Sequence, residues 1–331
     1  MTATAQANPN LALIKYWGNR DEGLRLPANG SISMTLGELH TVTRVTFQVD
    51  REGDRVVLQG APAAAPASER VSRHLDLIRD SAGLRAGADV VSTSDFPIGA
   101  GLASSASAFA ALTVAAAAAA RLSLRPMELS RLARRGSGSA CRSIFGGFVE
   151  WFAGTDDATS FAAPLAPEGH WPLVDLVAVI RAEEKSLGST EGHRLASTSP
   201  LQPQRVAGAA ARLTACRQAI LLRDFDALAS IVEEDSDLMH AVMETSSPPL
   251  HYRLAATDAL ISAVRRWRKA GLAVCTSVDA GPNVHCLCPI DAADTVEARL
   301  AAQPGVGRVI RASVGAAARL LSPDDPLTRL I

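Results

Sequence analysis

Four short segments bring together residue types that could do chemistry. In Asn8–Gly18 a lysine and a tyrosine, Lys15 and Tyr16, follow the apolar run Leu11–Ile14. They can reach an anionic ligand in a cleft, or stand as solvated charges at a strand end. Gly136–Phe148 is rich in glycine and serine and carries Arg142. Its planar fork can grip a carboxylate or phosphate bidentately; the alternative is a flexible turn with a surface charge. Lys185–His193 is small, polar and basic, suited to closing over a ligand or to joining two domains. In Thr276–Val284, Asp279 stands where a strand breaks into a Gly-Pro turn. A carboxylate there can take a proton from an attacking hydroxyl, or simply cap the turn.

A fifth segment, Pro97–Ala111, holds Gly99, Gly101 and three serines, after the short strand 88–93 and before an alanine-rich run to Ala120. Strand, glycine loop and helix start make a phosphate site: backbone amides at a helix N-terminus point at the anion with a favourable dipole. Serine hydroxyls add donors, or ligands for a phosphate-bound magnesium ion. Close packing of a helix through small residues gives the same pattern. No lysine follows in the P-loop arrangement, and the spacing is not G-x-G-x-x-G. A serine hydrolase and a zinc hydrolase are unsupported, because G-x-S-x-G and H-E-x-x-H are both missing.

The elements that must hold these segments belong to a globular chain. It has 331 residues, 47% of them hydrophobic and 20% charged, with a formal charge of −1. That length suits two domains or one large one. No long basic run speaks for nucleic acid. The apolar stretch 112–120 is too short to span a bilayer, and the N-terminus lacks the regions of a signal peptide. Five cysteines, an odd number, suit a reducing cytoplasm better than a disulfide framework.

Thr and Val enrichment predicts a strand over 36–49, with another near 55–58. The prolines of 61–67 predict a surface linker. Helical spacing predicts helices over 68–82, 104–121, 126–135, 204–222, 224–243, 253–270 and 291–302. Strands are expected at 148–152, 173–180, 273–277, 284–289 and 306–313. Strands and helices in runs indicate an α+β or mixed α/β fold. A composition change near 180–198 places the domain boundary there, giving units 1–182 and 183–331.

Together the segments resemble the diphosphomevalonate decarboxylases of the GHMP kinase superfamily. The resemblance is collinear over nearly the whole chain. It is carried by Asn10–Gly18, Leu26–Ser33, Gly99–Ala111, Gly136–Trp151, Asp235–His240, Ser247–Pro249 and Asp279–Asn283. It implies a two-domain GHMP-kinase-type fold, each domain an α/β sandwich, with the site in the cleft between them. It implies ATP and Mg2+, a small-molecule substrate and a homodimer. ATP would phosphorylate the C3 hydroxyl of a 5-phosphorylated mevalonate, after which phosphate and carbon dioxide leave. By resemblance Asp279 is the base or orienter of that hydroxyl, Arg142 holds the C1 carboxylate, and Lys15 steadies the transferring phosphoryl group. The ATP phosphate loop maps to Gly99, Gly101, Leu102, Ala103, Ser104 and Ser105. Tyr16, Ser137, Gly138, Ser139 and Ser189 map to the substrate and its phosphate tail. Adenine contacts stay open, with Asn29 and the strip 92–95 as candidates, and so do the magnesium ligands.

Two departures bear on the tail. Asn19 stands where the family has a second lysine, and His193 where it has methionine. Asn brings no charge, while His can donate a hydrogen bond and carry charge near neutral pH. The expectation drawn from them is a smaller anion, 5-phosphomevalonate giving isopentenyl phosphate. The alternative is 5-diphosphomevalonate giving isopentenyl diphosphate; a further one is a GHMP small-molecule kinase that does not decarboxylate.

Overall fold

A computed structural model describes residues 1–96, 104–180 and 188–331. Its strands are β1 (Thr2–Ala7), β2 (Asn10–Ile14), β3 (Asn19–Asp21), β4 (Leu26–Pro27), β5 (Ser31–Thr35), β6 (Thr41–Gln48), β7 (Arg55–Leu58), β8 (Ala61–Pro62), β9 (Gly87–Ser94), β10 (Phe148–Trp151), β11 (Ala162–Ala166), β12 (Leu173–Ile180), β13 (Cys275–Ser277), β14 (Val284–Pro289), β15 (Val306–Ser313) and β16 (Arg319–Leu320). Its α-helices are α1 (Ala65–Ala82), α2 (Ser104–Ala119), α3 (Pro126–Gly136), α4 (Ser189–Leu195), α5 (Gln202–Ala207), α6 (Ala209–Leu222), α7 (Phe225–Glu244), α8 (Ala255–Lys269) and α9 (Ile290–Ala301). A 3-10 turn spans Gly138–Ile144.

Among the described residues three larger sheets organise the chain, beside the two-stranded sheet β3-β4. The first runs β16-β1-β6-β9-β7-β8, antiparallel except for the parallel pair β7–β9. Its core includes Val45, Phe47 and Val90 from the sheet, Leu75 and Ile78 from α1, and the buried alanines of α2. Alanine along α2 lets the helix approach the strands closely. The second sheet, β11-β10-β5-β2, and the third, β13-β14-β12-β15, share one core with α6 and α7. The far face of the third sheet packs on α8 and α9 through Val174, Leu176, Leu260, Val264, Val296 and Leu300.

The strand expected over 36–49 begins only at Thr41. Leu36 N donates to Pro9 O and Gly37 N to Ser313 O, so this backbone is bonded outside the β6 ladder. The expected linker 61–67 instead starts α1 at Ala65, with Pro66 in the first turn, where a missing N–H costs nothing. The helix expected over 204–222 is divided into α5 and α6 at Gly208. The expected boundary between residues 182 and 183 lies outside the described residues. β12, just before it, pairs with β14 and β15 and so belongs with the later sheet.

Candidate active site

Lys15 directly follows β2, and almost none of it meets solvent. Three residues fix its backbone: its N–H donates to Asp235 Oδ2 at 2.6 Å, and its carbonyl accepts from Asn29 Nδ2 at 3.0 Å and from Arg205 at 2.8 Å. Asp235 is fully buried on α7 and also accepts from Arg212 Nε at 2.7 Å. The ammonium end of Lys15 lies 2.5 Å from Asp279 Oδ1.

Asp279 sits just after β13, a quarter exposed to the cleft. Burial pushes its carboxyl up, but Lys15, His285 and Arg142 together outweigh that and hold it below its ordinary value. It is therefore a carboxylate at neutral pH.

Arg142 lies in the 3-10 turn and is 2% exposed. Its guanidinium donates to Asn10 Oδ1 at 2.9 and 3.2 Å and to Ser31 Oγ at 2.6 Å. Burial lowers its pKa. Among the described residues no carboxylate lies within ion-pair distance of it. A buried cation held only by neutral acceptors is costly unless an anion completes the site.

These three groups face one cleft of about 360 Å³. Tyr16, Ser104, Ser105, Ser139, Ser189 and His193 line it too. Asn19, Ser137 and Gly138 stand one step behind its wall. Asn19 accepts a hydrogen bond from the Tyr16 hydroxyl and donates to Glu22 at 3.0 Å. Ser137 Oγ is 3.2 Å from Ser105 Oγ. Gly138 makes room for Tyr16, whose ring a Cβ there would meet at 2.5 Å. Gly99, Gly101, Leu102 and Ala103 lie outside the described residues, as does Lys185.

His193 departs from expectation. It is on α4, its Nδ1 accepts from Gly18 N at 3.0 Å, and its ring stacks on Tyr16 at 4.2 Å. Burial, with Arg25 and Arg205 adding to it, lowers its pKa to about 3. It is neutral at pH 7 and brings no charge to the tail.

Arg70, on α1, gave no signal in sequence. Its guanidinium donates to Gly136 O at 2.9 Å and packs over the Phe109 ring. Burial, then Arg25 and Arg73, lower its pKa to about 10. It has no carboxylate partner among the described residues. It lines both the cleft and an adjoining apolar cavity of about 240 Å³ between α1, α2 and β9. Ser92 and Ser94 line that cavity, whereas Asn29 is occupied with Lys15, Gly30 and Arg205. An apolar recess, joined to the cleft through Ser104, Ser105 and Arg70, suits a nucleoside whose phosphates extend toward Lys15. No group of three His, Cys, Asp or Glu among the described residues could hold a metal.

Asp235→Ala is expected to cost about 3–5 kcal/mol in denaturant unfolding, because Arg205 and Arg212 would stay buried without their carboxylate. A loss under ~1 kcal/mol would show that the arginines find other partners.

The chain has a mixed α/β two-domain fold of the GHMP type. The chain matches solved structures of that type, among them the mevalonate diphosphate decarboxylase of Staphylococcus aureus (TM-score 0.93, 36% identity, 97% of this chain and 98% of that one). A structure of MDDEF in complex with MVAPP, AMPPCP and magnesium gives a TM-score of 0.92 at 35% identity, covering 97% of this chain and 99% of that one. Residues 7–162 match the diphosphomevalonate decarboxylase-like N-terminal domain, and 175–304 the mevalonate 5-diphosphate decarboxylase C-terminal domain. Diphosphomevalonate decarboxylases of Aspergillus fumigatus and Homo sapiens are 40% and 39% identical, over 85% of this chain and 75% of each of those proteins. The chain belongs to the diphosphomevalonate decarboxylase family.

Proposed function

We propose that this enzyme is an ATP- and magnesium-dependent decarboxylase of 5-diphosphomevalonate, yielding isopentenyl diphosphate. The observation that carries the reading is the Lys15–Asp279 pair facing an arginine without a carboxylate, in a chain whose relatives carry that activity in their names. The nucleotide supplies the phosphoryl group that turns a poor tertiary leaving group into a good one. Asp279 accepts or orients the proton of the C3 hydroxyl. Lys15 neutralises charge on the transferring group. Arg142 pairs with the C1 carboxylate and keeps it ionised until the C1–C2 bond breaks toward the cation forming at C3. Ser139, Ser189 and Tyr16 hold the substrate, with the 5-phosphates beyond them, and the loop through Ser105 holds the nucleotide phosphates.

The relatives, named for 5-diphosphomevalonate, support that substrate over the monophosphate; His193, neutral and packed between aromatic rings, adds no charge for either. Arg20 does not stand in for the missing lysine: its guanidinium donates to the carbonyls of Ala153 and Gly154. Arg25 acts on Tyr16 and His193 and supplies positive charge there. The monophosphate remains the second reading on one observation: Asn19 is bonded to Glu22, an anion. Carbon dioxide release from each substrate separates the two. The diphosphate is expected to give the higher kcat/KM; a higher value for the monophosphate would reverse the assignment.

The reading includes a homodimer in a reducing cytoplasm. Five free, buried cysteines support the compartment, and family resemblance supports the dimer. Among the described residues no helix is long and apolar enough to cross a membrane.

A further inference from the structure

A buried acid–base pair on the third sheet has no part in the reaction steps assigned above. Asp175 on β12 is 0% exposed and His285 on β14 is 2% exposed. His285 Nδ1 lies 2.6 Å from Asp175 Oδ2. Both residues fall on the same face of the third sheet. Leu173, Val177 and Leu287 from that face enter the core shared with β2 and α7, whereas Val174, Leu176 and Cys286 point to α8 and α9. Ser277 is directly opposite His285 in register. Its hydroxyl donates to Ala12 O, on the strand that leads to Lys15. The pair thus sits on the sheet face that meets the Lys15 strand.

As a purely structural contact the pair is poorly made. Among the described residues, His285 Nε2 and Asp175 Oδ1 are both buried without a hydrogen-bond partner. Two apolar side chains of similar volume would stabilise that sheet at least as well. What the pair offers instead is charge at a fixed place.

We propose that Asp175 and His285 form a positioning pair, in which Asp175 fixes the imidazole and His285 supports the Asp279 carboxylate electrostatically from the sheet beneath. This rests on the decarboxylase reading of the cleft. His285 makes no direct ion pair with Asp279 and takes no proton from substrate. Burial lowers its pKa, but Asp175 and Asp279 together outweigh that and raise it above the ordinary imidazole value, which favours the protonated ring. The groups that lower the Asp279 pKa are Lys15 from the end of β2, His285 from β14 and Arg142 from the 3-10 turn. From α7, His240 is kept neutral by burial, which lowers its pKa to about 3, and Asp235 is committed to Lys15 N and Arg212.

The test compares the full-length enzyme with His285→Gln and Asp175→Asn, each checked for folding by thermal melting. In His285→Gln, kcat is expected to fall roughly ten-fold with KM nearly unchanged. The acid limb of its kcat/KM profile should move to higher pH, because a carboxylate losing a positive neighbour protonates more easily. Asp175→Asn keeps a bonding partner for the ring and should move the limb in the same direction by less; it carries the test alone if His285→Gln does not fold. A folded, active variant with the limb unmoved overturns the inference. If the unaltered protein releases no carbon dioxide from either substrate, the functional reading fails and this inference falls with it.

Discussion

Asp279→Asn is expected to lower carbon dioxide release by about 10²- to 10⁴-fold, the range for loss of a positioned acid–base group. Asparagine keeps the shape of the side chain and can still bond the Lys15 ammonium, but it cannot accept the proton of the C3 hydroxyl. The carboxylate is held below its ordinary pKa by Lys15, His285 and Arg142 against the effect of burial. The native site is therefore ionised across the neutral range, and the loss in the variant should not be recovered at any pH there. Nucleotide affinity should persist, because the apolar recess between α1, α2 and β9 does not include Asp279. Equilibrium titration with a nucleotide, beside steady-state carbon dioxide release, measures both. Near-normal turnover would move the reaction away from Asp279 altogether.

Sign also matters for stability. A carboxyl whose folded pKa lies below its unfolded value stabilises the fold above the unfolded pKa, and that contribution is lost as pH falls through the folded one. Asp279 therefore adds to acid sensitivity rather than opposing it.

Lys15, Arg142 and Asp279 were legible because each breaks its local pattern: a lysine after an apolar strand, an arginine in a glycine-serine turn, an acid before Gly-Pro. Arg70 was not, since an arginine on an amphipathic helix such as 65–82 looks like any solvated charge until the fold places α1 over the cleft. Asn10 and Asp235 lay in family-like segments, yet their work on Arg142 and Lys15 appears only when β2 meets the 3-10 turn and α7. The Asp175–His285 contact spans 110 residues and depends on the register of β12 against β14, which local patterning does not encode. Element types were read well where periodicity was strong, as at β12, β14 and β15. They failed where chain partners elsewhere decided the outcome, as in 36–40.

Arg142→Gln tests the decarboxylation half of the reaction. The native guanidinium is satisfied on one side by Asn10 and Ser31 and offers its charge to the cleft. Glutamine is shorter and neutral, so it cannot both keep those bonds and pair with a carboxylate. Loss of carbon dioxide release of about 10²- to 10³-fold is expected, the scale for removing a preorganised charge partner. Phosphoryl transfer depends on Lys15 and Asp279, which the substitution leaves in place, so ADP formation should fall less than carbon dioxide release. The ratio of ADP to carbon dioxide is then the diagnostic: close to one in the native enzyme and well above one in the variant. Arg142→Lys keeps the charge but not the planar fork, and should lie between the two. If ADP and carbon dioxide fall together in Arg142→Gln, Arg142 organises substrate binding as a whole. If neither ADP formation nor carbon dioxide release falls, the carboxylate is held elsewhere, and Arg70 is the remaining cation on the wall of the cleft without a carboxylate of its own among the described residues.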